Sequence, residues 1–261
     1  MISFRHVTAR YPGSSRNAVD DISFDVGAGE LVVLLGPSGC GKSTLLRTVN
    51  RLVPLESGEV DVDGIGVAEL DAVELRRGIG YVIQAIGLFS HMTVAQNVAV
   101  VPSLLGWDRT DIDGRVDELL GMVGLDPSLY RERYPSLLSG GEAQRIGVAR
   151  AIAARPRALL MDEPFGAVDA VVRATLQREL VRIVRELKTT TIFVTHDVDE
   201  AFRLADRVVV MRAGRVEQVA QPEGLFDNPA TDYVRDIVHA GDDVYRRYYL
   251  HARELLRQSS S

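Results

Sequence analysis

Lys42 and Ser43 sit near the end of the stretch Gly36-Pro37-Ser38-Gly39-Cys40-Gly41-Lys42-Ser43-Thr44, a spacing suited to holding the phosphates of a nucleotide. The glycines let backbone N–H groups curl inward around a polyanion. A helix starting here aims its positive N-terminal end at the same place. Lys42 adds a full charge on the β- and γ-phosphates, and the Ser43 hydroxyl is placed to ligate Mg²⁺. With glycine near 7% of average composition, the four fixed positions arise by chance in roughly one chain in a hundred of this size. Cys40 offers its backbone N–H to the loop. Its thiolate would be favoured by a helix N-terminus and opposed by bound phosphate.

A second constellation is Ala158-Leu159-Leu160-Met161-Asp162-Glu163, an apolar strand ending in adjacent carboxylates. Asp162 at the strand end can hold Mg²⁺, directly or through water, and Glu163 beyond it can polarise a water in line with the γ-phosphate. A third is Leu138-Ser139-Gly140-Gly141-Glu142, in which Ser139 and Glu142 three residues later form a capping box that starts a helix.

These residues need a scaffold, and the pattern around them supplies one. Leu31–Leu35 is an apolar run before the glycine-rich stretch and Leu45–Val49 a helix-like run after it, the strand–loop–helix context of a P-loop. Ile2–Val7 alternates, and Ile22–Val26 follows a polar turn, which predicts strands at the N-terminus. Glu59–Gly64 reads as a short edge strand with its turn, and Ile79–Gln84 as a strand ending on a polar residue. From Thr93 to about Arg133 the pattern is helical. Helices are then predicted at about 141–154 and 170–187, alternating with strands at 158–161 and 190–194. The unbroken apolar character of Leu159–Met161 and Ile192–Val194 suits a parallel sheet covered on both faces. Residues 207–219 read as a hairpin around Ala213-Gly214.

Composition narrows the function. The 261 residues are 46% hydrophobic, enough for a sizeable core, and the net charge of −6 gives no electrostatic footprint for nucleic acid or anionic lipid. No segment approaches the ~18 apolar residues of a bilayer span. The N-terminus lacks a signal-peptide run, and a single cysteine excludes an intrachain disulfide. The expectation is a soluble, cytoplasmic chain.

Taken in order, the P-loop, the Ser139–Glu142 segment and the Asp162-Glu163 strand resemble the motifs of ABC-type ATPases, and the resemblance covers essentially the whole chain. It implies an α/β fold: a P-loop core with a mostly parallel sheet, an N-terminal antiparallel β subdomain and a helical subdomain at about residues 90–155. The ATPase domain would span 1–240, with a polar tail at 241–261. Tyr11 matches the aromatic residue that stacks on adenine. Gln84 matches the Q-loop glutamine that touches Mg²⁺ or the attacking water, and His196 the switch histidine that contacts the γ-phosphate. Asp169 matches the D-loop aspartate that couples two active sites. In this family Ser139, Gly140 and Gly141 serve the ATP held by a second copy, so two chains sandwich two Mg-ATP. Glu142 departs from the usual glutamine at the end of this signature. Its capping role offsets its repulsion of phosphate, so Glu142→Gln is expected to change steady-state ATP turnover by less than about tenfold, roughly 1.4 kcal/mol.

One such domain with no fused span implies a separate ATPase subunit at the cytoplasmic face of the membrane, docking on a transmembrane permease through the Gln84–Trp107 surface. The run Gln84–Asp108, with Arg131–Pro135 and Met161–Gly166, looks like osmoprotectant importers of glycine betaine, choline or carnitine. Such systems imply a second, identical ATPase subunit and, indirectly, an extracellular or periplasmic substrate-binding protein. Many members carry C-terminal CBS modules that sense ionic strength. This sequence ends before such modules. The alternatives are an amino-acid, nitrate or sulfonate importer, and a soluble ABC ATPase acting on nucleic acid or ribosomes. The acidic balance speaks against the second. A single-site P-loop kinase or GTPase would have no use for the signature at Ser139.

Overall fold

A computed structural model describes residues 1–84, 87–166 and 170–239; Asp169 and the polar tail from 241 lie outside the described residues. In chain order, β1 (Ile2–Ala9) and β2 (Val19–Val26) pair, β3 (Leu31–Leu35) enters the core, and α1 (Lys42–Val49) follows. β4 (Leu55–Val62) and β5 (Ile65–Gly66) complete the first sheet, after which α2 (Ala72–Arg77) leads to β6 (Ile79–Val82). Four helices come next: α3 (Val94–Leu104), α4 (Arg109–Met122), α5 (Pro127–Tyr130) and α6 (Gly140–Ile152). Strand and helix then alternate through β7 (Ala158–Asp162), α7 (Ala170–Leu187), β8 (Thr190–Thr195) and α8 (Val198–Leu204). The hairpin β9 (Arg207–Arg212) and β10 (Arg215–Ala220) and two short helices, α9 (Pro222–Asp227) and α10 (Asp232–His239), end the described chain.

The central sheet has the order β10-β9-β3-β8-β7-β6, with only the β9–β10 pair antiparallel. All five residues of β3 are buried, Val32 and Leu34 on one face and Leu31, Val33 and Leu35 on the other. That two-sided burial is why these strands read as continuous apolar runs rather than alternating ones. One face packs against α1 and the N-terminal sheet, the other against α6, α7 and α8. Parallel registers pair Leu35 with Thr195, Val194 with Asp162, and Met161 with Val82. The carboxyl ends of β3, β8, β7 and β6 therefore finish together, the place where open α/β sheets bind ligands.

The N-terminal sheet, β2-β1-β4-β5, is antiparallel. The expected edge strand at 59–64 is corrected here. β4 begins at Leu55 and lies between β1 and β5. Its first half carries no alternation because Leu55–Glu59 is largely exposed, so the local pattern shows only the second half. β1 is likewise less regular than its sequence suggests: His6 has φ 51°, and the register slips between Phe4 and Val7 against β2 and between Arg5 and Thr8 against β4.

Candidate nucleotide-binding site

The glycine-rich stretch connects β3 to α1 and wraps a tight concavity. Gly36 and Gly41 are fixed by space: a Cβ on Gly36 would lie 2.3 Å from the Met211 carbonyl, and one on Gly41, at φ 109°, 2.3 Å from the Ala18 carbonyl. The amides of the first turn of α1 have no partner within the helix, so they face the loop's interior as donors. Lys42, only 4% exposed, donates from Nζ to the carbonyls of Gly36 (2.7 Å) and Pro37 (3.0 Å) and approaches Cys40 Sγ at 3.9 Å. Burial pushes the Cys40 thiol above its ordinary value, which outweighs the Lys42 charge. A protonated thiol is a poor nucleophile, so Cys40 is a packing residue of the loop.

A cavity of about 410 Å³ opens over this loop, lined among others by Tyr11, Ser38, Lys42, Thr44, Gln84 and Glu163. That volume lies within the range of small-ligand sites. Tyr11 stands at its rim, 41% exposed, with its hydroxyl 3.3 Å from Thr44 Oγ1. An exposed aromatic face beside a phosphate loop offers a base a stacking surface.

At the end of β7, Asp162 is 2% exposed and fully engaged. Ser43 Oγ donates to its Oδ1 at 2.6 Å, and Arg47 Nη2 to its Oδ2 at 3.2 Å. This serine–carboxylate pair suits Mg²⁺, which is usually held by one or two protein oxygens with phosphates and waters completing the octahedron. Glu163 follows in the left-handed region at φ 44°, its N–H donating to the Val194 carbonyl at 3.1 Å. That turn brings Oε2 to 3.4 Å from Gln84 Nε2 and 3.3 Å from His196 Nδ1. His196 is set between the end of β8 and Asp197, whose carboxylate caps α8 through the Glu200 N–H at 3.1 Å.

Ser139, Gly140, Gly141 and Glu142 do not join this cavity. They start α6, where the reciprocal capping box forms: Ser139 N–H donates to Glu142 Oε2 (2.7 Å) and Glu142 N–H to Ser139 Oγ (3.3 Å). Ser139 and Gly140 are exposed. A Cβ on Gly140 would meet nothing of its own chain within 4 Å, and its backbone does not need positive φ. At the other end of α6, Arg115 donates to the carbonyls of Ile152 and Ala153 and fixes the helix to α4.

Sequence reading missed Arg47 and Tyr81. Arg47 is four residues after Ser43 and hence on the same helix face. The Tyr81 hydroxyl above all, then Asp162 and Tyr11, hold its guanidinium charged, while burial pushes the Tyr81 hydroxyl's own pKa up. The i+4 spacing was the available signal; Tyr81 offered none.

Fold and site together define a P-loop nucleotide-binding α/β domain with a helical insertion whose last helix starts on two glycines. Residues 19–166 match the model of the ABC transporter family, and the chain belongs to that family. It is 48% identical to the glycine betaine/carnitine/choline transport ATP-binding protein OpuCA of Bacillus subtilis over 91% of this chain and 62% of that protein. It is 51% identical to the glycine betaine uptake system ATP-binding protein YehX of Escherichia coli, over 90% of this chain and 75% of that one. The chain thus spans about three-fifths to three-quarters of these relatives. Among solved structures, the dimeric MJ0796 ABC transporter cassette superposes with a TM-score of 0.75 at 32% identity, covering 85% of this chain and 98% of that one.

Proposed function

We propose that this chain is the ATP-hydrolysing subunit of an ABC importer whose cargo is an osmoprotectant quaternary amine. The observation that carries the chemistry is the convergence of Lys42, Ser43, Asp162, Glu163, Gln84 and His196 at the aligned carboxyl ends of four parallel strands. Tyr11 stacks on adenine while the P-loop amides and Lys42 cradle the phosphates. Mg²⁺, held by Ser43 and Asp162, would neutralise charge on the phosphates. Glu163 accepts a hydrogen bond from the attacking water, Gln84 orients that water, and His196 Nδ1 steadies the Glu163 carboxylate.

Ser139 and the Gly140 and Gly141 amides serve the nucleotide of a second copy, so that ATP joins two chains and hydrolysis releases them. The helical unit at about 90–155 carries that signature, and Asp169, outside the described residues, is assigned to the coupling of the two sites. Among the described residues no helix is long and apolar enough to cross a membrane. The subunit then acts peripherally, docked on permease subunits through the surface from Gln84 to Trp107. The cargo class rests on the likeness to OpuCA and YehX, because an ATPase subunit does not itself touch cargo.

The test is uptake of labelled glycine betaine, choline and carnitine by cells of the source organism carrying wild-type or Glu163→Gln protein. Loss of uptake of one of them in the variant is the expected result. Unchanged uptake of all three, with the purified protein still hydrolysing ATP, would remove the osmoprotectant assignment and leave the motor.

A further inference from the structure

The departure at Glu142 has a partner that no motif contains. Glu142 Oε1 accepts a hydrogen bond from the Tyr130 hydroxyl at 2.5 Å, while Oε2 accepts the Ser139 N–H at 2.7 Å. Both carboxylate oxygens are thus engaged. The Tyr130 hydrogen bond, then that of Ser139, holds the carboxyl below its ordinary range, and the same contact pushes the phenol up. Tyr130 is itself fixed. It closes α5, whose start Asp126 caps through the Ser128 N–H; the Arg133 guanidinium lies 4.4 Å over its ring, and the ring packs against the main core.

We infer that Tyr130 is a positioning residue that holds the Glu142 charge in the capping box, so that Ser139 and the bare Gly140 can receive the phosphate of a second chain. This rests on the composite-site reading above. A carboxylate at the mouth of a phosphate site opposes closure by like-charge repulsion. One oxygen on a backbone amide and the other on a phenol disperse that charge into two donors, and charge-assisted bonds of this kind are about twice as strong as neutral ones. Without the phenol, one oxygen loses its protein donor and the carboxylate is released from one side. The capping box then has an ionised member held by the Ser139 N–H alone, its other oxygen bare toward the incoming anion.

Tyr130→Phe removes only the hydroxyl and keeps the ring under Arg133. In the Glu163→Gln background, the ATP concentration giving half-maximal dimer by light scattering is expected to rise about three- to tenfold. Affinity for a fluorescent ATP analogue, measured at protein concentrations too low to dimerise, should stay within twofold, because the P-loop is untouched. With Glu142→Gln added to that background, the same substitution should shift dimerisation less than twofold, since no charge remains to be held. A shift below twofold with Glu142 present, an equal shift when Glu142→Gln is also present, or a parallel loss of analogue binding would overturn the role of Tyr130 while leaving the sandwich intact. Failure of the Glu163→Gln parent to dimerise in saturating Mg-ATP would instead remove the composite site, and this inference with it.

Discussion

Glu163→Gln is expected to lower ATP turnover by about 10²–10⁴, the range typical of a lost general base, with nucleotide binding retained. Glutamine keeps the volume and one carbonyl oxygen, so the 3.4 Å contact with Gln84 and the 3.3 Å contact with His196 lose charge but not shape. What disappears is the ability to take a proton from water. Steady-state and single-turnover assays measure the rate, and light scattering in saturating Mg-ATP should find a trapped dimer. Turnover within tenfold of wild type would move the base elsewhere, with His196 the next candidate by distance. The backbone supplies an independent check. A left-handed conformation costs an ordinary residue about 1–2 kcal/mol, and Glu163 sits there at φ 44°. Glu163→Gly should therefore lose turnover as Gln does while raising the melting temperature by about 2–4 °C per kcal/mol relieved.

How much of this was legible in the sequence depends on the range of each interaction. The P-loop, the Ser139–Glu142 capping box and the Asp162-Glu163 strand end are local patterns, and the structure places all of them in the secondary-structure context that their spacing predicts. The parallel sheet was legible because burial on both faces leaves a composition mark in β3, β7 and β8. What was hidden is contact between distant segments. Arg47 meets Asp162 across 115 residues, and Tyr130 reaches Glu142 by way of the loop that follows α5, contacts that no periodicity announces. β4 looked like an edge because its exposed first half has no alternation, and β1, its neighbour, is more than 40 residues away in sequence. The Glu163–His196 contact lies between these cases. Each residue ends a recognisable strand, but only the parallel register of β7 on β8 brings the two together.

Lys42→Ala is expected to weaken ATP binding by about 100-fold or more, measured by equilibrium titration with a fluorescent analogue. An ammonium has three donors. In Lys42 two go to the loop's own carbonyls, and the third faces only Cys40 Sγ at 3.9 Å, the weakest of the three contacts. That third donor is the one a phosphate oxygen can claim without unfolding the cup around it. Removing one partner of a desolvated charge pair costs about 2–5 kcal/mol, and each 1.4 kcal/mol is tenfold in affinity. The competing outcome is structural, since alanine also strips a donor from the Gly36 and Pro37 carbonyls, and an unsatisfied buried acceptor costs about 1–3 kcal/mol. Melting without nucleotide separates the two effects. Lys42→Arg sharpens the comparison: it keeps the charge but replaces a compact ammonium by a planar fork whose donors cannot repeat the ammonium's bonds to the Gly36 and Pro37 carbonyls. If charge alone mattered, arginine would bind ATP nearly as well as lysine. The buried geometry predicts a loss approaching that of alanine. A Lys42→Ala protein that melts normally and binds ATP with unchanged affinity would show that the cavity over this loop is not where the phosphates sit.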